Sequence, residues 1–130
     1  MTRARSLKAM RRSIAPTEQQ EAFALAAWLD LRRVFYIHIP NEAKRSPRTG
    51  WLLKRAGMKP GAPDYLIFDM PRMPTGYMYK GVAIELKRTV KSTTSDVQAA
   101  FLATLSERGW LTYVCKGAKE AIARLKELGF

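Results

Sequence analysis

The sequence predicts a mixed α/β domain, a central sheet flanked by helices. Short β-branched and aromatic runs alternate with segments that open on helix-capping signals. Two of those openings, Thr17 to Gln20 and Ser95 to Gln98, carry the S/T-x-x-Q pattern in which side chain and backbone cap each other. A chain of 130 residues with 47% hydrophobic side chains is also long enough and apolar enough to build one core.

Each element follows from local chemistry. Thr17 starts a helix over about 17–31, with Phe23, Leu25, Ala26, Trp28 and Leu29 as its apolar side. Val34 to Ile39 (VFYIHI) is β-branched and aromatic and reads as a buried strand. Ser46-Pro47 places an N-cap before a proline at the first helical position, and Gly57 supplies a stop, so SPRTGWLLKRAG reads as a short helix. Pro60-Gly61-Ala62-Pro63 is a turn leading into Asp64 and the strand YLIF, and a polar connection then reaches the strand GVAIELK. The Ser95 helix shows Val97, Phe101 and Leu105 on one face and ends at Gly109. The strand WLTYVC and a helix over about 117–128 complete the order. Residues 1–15, with Arg3, Arg5, Lys8, Arg11 and Arg12 and no acid, read as a flexible basic arm, and residues 16–130 as one domain.

Composition narrows the function. Lys and Arg total 23 against 11 acids, a net charge of +12 and a pI near 10.3, so a polyanion is the expected partner. The longest apolar run, Ala22 to Leu29, is far short of the ~18 residues a membrane span needs, so no membrane partner is expected. No secretory signal is visible, and Cys115, the lone cysteine, excludes an internal disulfide and reads as a buried strand residue in a reducing cytoplasm. One histidine, His38, leaves no basis for two-histidine nucleases or zinc deaminases, and no glycine-rich phosphate loop supports an NTPase. Chemistry on phosphodiesters would fall to carboxylates and to Lys or Arg.

On the strand GVAIELK, Val82, Ile84 and Leu86 share one face and Ala83, Glu85 and Lys87 the other, so a carboxylate and an ammonium point the same way. Alone, that is also the pattern of a solvated strand face. Asp64, just after the Pro-Gly turn, changes its meaning: if the two strands are neighbours, Asp64 and Glu85 converge. Two carboxylates, completed by phosphate oxygens and waters, suit Mg²⁺, which would acidify water and polarise the phosphodiester. Lys87 would hold the attacking water or offset developing charge.

PGAPD followed by AIELK resembles the motif pair of the PD-(D/E)xK nuclease superfamily. The wider context, with HIPNEAKRSP, LLKRAGMKPGAPD, GVAIELKR, the Ser95 to Gln98 helix start and YVCKGAKEAI, resembles its virus-type replication-repair nuclease (VRR-NUC) family from about Thr17 onward. The resemblance implies a restriction-endonuclease-like core of order αβ(α)ββαβα, with Asp64, Glu85 and the Leu86 carbonyl as metal ligands and Lys87 as the catalytic lysine. It also implies a glutamate on the first helix, for which Glu21 is favoured and Glu18, on the same stripe one turn earlier, stays open. Gln98 matches the family's glutamine after the catalytic strand, while its capping-box position gives it a structural role as well. His38 and Asn41 lie in a segment resembling the family's PN-containing loop; His38 reads as a strand histidine and Asn41 as a turn former.

Lys44, Arg45, Arg48, Lys54, Arg55 and Lys59 form an acid-free basic stretch leading to Asp64, and with Arg88 they are the expected DNA-binding residues. Trp51 has the chemistry to stack on an unpaired base, but Leu52 and Leu53 beside it make it read as core. The resemblance implies a Mg²⁺-dependent endonuclease, with Mn²⁺ substituting, that cuts branched DNA in the manner of a Holliday-junction resolvase. A homodimer and a cytoplasmic location, the host cytoplasm for a phage-encoded member, are expected with it. Two alternatives remain at this stage: a monomeric flap or single-strand-junction nuclease, and a non-catalytic basic nucleic-acid-binding module. Against the second, a pure binder gains nothing from acids that repel DNA beside its phosphate path.

Overall fold

The computed structural model describes residues 16–40, 46–71, 78–88 and 92–130; the basic arm 1–15, Asn41, Lys44 and Arg45 lie outside them. The elements follow the order read from the sequence: α1 (Glu18–Leu31), β1 (Tyr36–His38), α2 (Pro47–Arg55), β2 (Tyr65–Ile67), β3 (Val82–Lys87), α3 (Asp96–Glu107), β4 (Leu111–Lys116) and α4 (Gly117–Glu127). Both capping boxes form. Thr17 caps α1 and Ser95 caps α3, each exchanging hydrogen bonds with the glutamine three residues on. Ser46 caps α2 ahead of Pro47.

The strands form one sheet in the order β1-β2-β3-β4, the first two pairings antiparallel and β3 with β4 parallel. The parallel pairing requires a crossover, which α3 supplies. Register sets Tyr65 opposite Ile84 and Ile84 opposite Tyr113, so one face of the sheet carries Tyr65, Ile67, Val82, Ile84 and Cys115. That face packs on α1 and α4 through Leu25, Leu29, Ala121 and Leu125, all fully buried. The thiol of Cys115 is 1% exposed, and burial raises its pKa to about 12, leaving it unreactive. Helix α3 lies on the opposite face, against β4, with Leu102 as its buried anchor. Among the described residues no helix is long and apolar enough to cross a membrane.

Four expectations about burial change. Strand β1 is an edge strand and shorter than VFYIHI: Phe35 is 67% exposed and Ile37 45%, because among the described residues α3 covers the β4 end of their sheet face and no helix covers the β1 end. Phe23, expected on the apolar side of α1, is 65% exposed. Helix α2 has no buried residue, and Trp51 projects from it 56% exposed with Leu52 beside it, so neither is core. On α3, likewise, Val97 faces outward and Leu102 takes the core position.

Helix α4 has no side-chain cap of its own. Glu21 of α1 fills the gap, accepting a hydrogen bond from the Ala118 N–H. Gly117 makes room: its φ is +85°, and a Cβ there would come within 2.8 Å of the Glu21 carboxylate. Glu21→Ala is therefore expected to lower unfolding stability by about 1–2 kcal/mol, the scale of a lost N-cap. Chemical denaturation checks this, and an unchanged midpoint contradicts it.

Candidate active site

Strands β2 and β3 pair antiparallel with Tyr65 opposite Ile84, which sets Asp64 and Glu85, one step further along, side by side on the face opposite the core. Both are buried, Asp64 6% exposed and Glu85 2%. The turn at Gly61, with φ of +82°, brings the chain so close to α3 that a Cβ would meet the Val97 carbonyl oxygen at 2.6 Å. Only glycine fits at this point of the segment that delivers Asp64.

Each carboxylate is partly satisfied. Asp64 Oδ2 accepts from the Leu86 N–H at 2.7 Å. Glu85 Oε1 accepts from Gln98 Nε2 at 3.0 Å and lies 3.6 Å from Lys87 Nζ. Lys87 in turn donates to Gln98 Oε1 at 2.8 Å, and the same oxygen accepts from the Ser95 N–H at 3.0 Å. Gln98 thus caps α3 and links the glutamate to the lysine. These bonds also fix its amide orientation, oxygen toward the cation and nitrogen toward the carboxylate.

One polar atom is left over. Among the described residues, Glu85 Oε2 is buried without a hydrogen-bond partner. Burial, followed by the neighbouring Asp64 charge, raises the Glu85 pKa to about 7, and burial raises that of Asp64 against the pull of the Leu86 N–H. Such a pair is stable only if it keeps a proton or accepts a cation. A divalent metal therefore fits the donor set, with an orphaned carboxylate oxygen aimed into it.

Other expected site residues are distributed around this pair. Asp64 is shared by two clefts. The larger, about 690 Å³, is lined by Glu18, Phe23, His38, Asp64, Lys87 and Arg88 among others; the smaller, about 390 Å³, by Met58, Pro60, Gly61, Asp64, Glu85 and Gln98 among others. Leu86 borders the larger cleft. Arg88 is exposed there, its Nε donating to the Pro16 carbonyl at 3.0 Å. His38 stacks on Tyr65 with ring centroids 4.7 Å apart. Arg48, Lys54, Arg55 and Lys59 are exposed on and just after α2. Glu21 borders the larger cleft with Asp64 and Lys87, and its Oε2 also accepts from the Ala118 N–H at the α4 N-terminus. Among the described residues no three His, Cys, Asp or Glu side chains come together as a metal-ligand group. The cue available in the sequence was Gly117, a glycine at the start of a helix that lacks its own cap.

A four-stranded mixed sheet between helices, with a buried Asp/Glu pair and a lysine at its centre, defines a restriction-endonuclease-like protein. No family model and no curated protein matches the sequence. A solved structure described as a VRR_NUC domain protein is similar to it, at 25% identity and a TM-score of 0.69, over 87% of this chain and 88% of that one. This likeness shows the fold and supports VRR-NUC family membership.

The buried pair makes stability depend on pH when metal is chelated. In the unfolded chain Glu85 releases its proton near 4.5, whereas in the folded protein it holds it to about 7. The native state binds more protons across that window, so its stability falls as pH rises through it. In EDTA, the Tm of wild type relative to Glu85→Gln is expected to drop between about pH 5 and about pH 8. A difference that stays flat or rises contradicts the assignment.

Proposed function

We propose that this chain is a Mg²⁺-dependent endonuclease that hydrolyses phosphodiester bonds in branched DNA, resembling a Holliday-junction resolvase, with Mn²⁺ able to substitute. The observation that carries the reading is the buried Asp64–Glu85 pair with its orphaned Oε2, held against Lys87 and Gln98. Asp64, Glu85 and the Leu86 carbonyl would hold the cation. When bound, it supplies Lewis acidity toward the phosphate and acidifies water near neutral pH.

The protein's own groups do the rest. Lys87, half-buried and fixed by Gln98, presents an ammonium beside the carboxylates, where it orients the attacking water and offsets charge that develops on the phosphate. Gln98 is a positioning residue, since removing it frees both Lys87 and Glu85 Oε1. Burial of the pair excludes bulk water, which strengthens these interactions. Arg48, Lys54, Arg55, Lys59 and Arg88, with Lys44 and Arg45, guide the phosphate backbone to the site. The products are 5′-phosphate and 3′-hydroxyl ends.

A homodimer suits the cutting of opposed strands. The edge strand β1 and the uncovered face beside it support one: Phe35 and Phe68 pack with ring centroids 5.5 Å apart, and with Ile37 they leave an apolar surface at the sheet edge. Sedimentation equilibrium is expected to read twice the chain mass, and a monomer at working concentration would favour the flap-nuclease alternative.

The central test is cleavage of four-way junctions, flaps and duplex with Mg²⁺ or EDTA. Metal-dependent nicking of branched substrates is expected for wild type. Asp64→Asn and Lys87→Ala are each expected to slow it by at least about 10²-fold while preserving binding. No cleavage of any substrate by wild type rejects the nuclease reading, and unimpaired cutting by the variants rejects the site.

A further inference from the structure

Helix α2 is difficult to explain as part of the core. It is nine residues long, none of them buried, yet it is well capped by Ser46 and Pro47. Its exposed surface carries Arg48, Lys54 and Arg55, with Lys59 just beyond and no acid between them. Trp51 stands out from this surface 56% exposed, and the Arg55 guanidinium lies 5.1 Å from its ring centroid. Leaving a large indole in water forgoes the burial that usually justifies one, so a partner surface is indicated. The charge around it selects a polyanion.

From these observations we infer that Trp51 is a stacking platform for an unpaired base at the branch point of the DNA substrate, with the cations of α2 holding the flanking phosphates. The inference rests on the nuclease reading for its substrate and goes beyond it in naming the feature recognised. Within an intact duplex every base face is covered by its neighbours. A face becomes available to an indole only where stacking is interrupted, at a flap, gap or junction. Arg55 supports the platform, since a guanidinium over one face of the ring leaves the other free and adds cation–π attraction.

The placement suits a reader close to the cut. Trp51 lies one helical turn before Arg55, and three residues later Met58 lines the smaller cleft with Asp64 and Glu85. Along the chain that is at most about 17 Å, or roughly five base steps of a duplex.

Binding in EDTA, read by fluorescence anisotropy, separates recognition from cutting. The DNAs are an intact duplex and the same duplex carrying a single-stranded flap. Trp51→Ala is expected to weaken flap binding by about tenfold or more and duplex binding by less than about threefold, while Trp51→Phe stays within about threefold on both. A 2-aminopurine at the first unpaired position is expected to be quenched by wild type and Trp51→Phe but not by Trp51→Ala. Because Trp51 is exposed, the variants are expected to fold, and circular dichroism verifies this. Equal weakening on both DNAs, no weakening on either, or quenching by Trp51→Ala overturns the proposal. Trp51-dependent flap binding without Mg²⁺-dependent cleavage by wild type would leave this inference standing and reject the nuclease reading; cleavage without Trp51 dependence does the reverse.

Discussion

Two carboxylates buried side by side are the constraint around which this protein is organised. Taking either from water is costly, and their mutual repulsion adds to the cost. The surrounding groups reduce that cost without removing it. The Leu86 N–H satisfies one oxygen of Asp64, and Gln98 with Lys87 satisfies one oxygen of Glu85. Oε2 of Glu85 remains for a proton or a cation. A fold selected only for stability would place an apolar side chain there. An unsatisfied acid at the centre of the sheet is the observation on which the proposed site rests.

The elements next to the pair each contribute to holding it. Antiparallel pairing of β2 with β3 sets the two acids abreast, and the crossover through α3 brings its N-terminus over Glu85. Gln98 can serve both the helix and the site because a capping-box glutamine turns back toward the start of its own helix, which here is where the lysine ends. Glu21 also has a structural partner. The uncapped N-terminus of α4 engages one oxygen of its carboxylate, so a residue on the inward side of α1 serves packing between two helices. Charge is partitioned in the same spirit, with acids in the interior of the site and cations on the exposed α2.

Much of this was legible beforehand. Capping signals placed α1, α2 and α3, and β-branched runs placed the strands, because both signals are local and act through the backbone. Asp64, Glu85 and Lys87 were legible because strand alternation and a rigid turn constrain direction as well as position. What was not legible was burial. VFYIHI has a core composition, but an edge strand with one uncovered face leaves Phe35 and Ile37 in solvent. Trp51, Leu52 and Leu53 are apolar neighbours on a helix, yet nothing in that segment states that no other element packs over it. Phe23 on α1 was misjudged for the same reason.

The sequence by itself therefore determined the order of the elements and the candidate residues of the site, because caps, turns and two-residue alternation are short-range effects. Tertiary structure alone decided which of those residues meet. Register put Asp64 against Glu85, the approach of α4 engaged one oxygen of Glu21, and among the described residues Trp51 faces outward. Each depends on contacts between segments far apart in the chain, and those are settled by how whole faces pack and not by any one segment's own preferences.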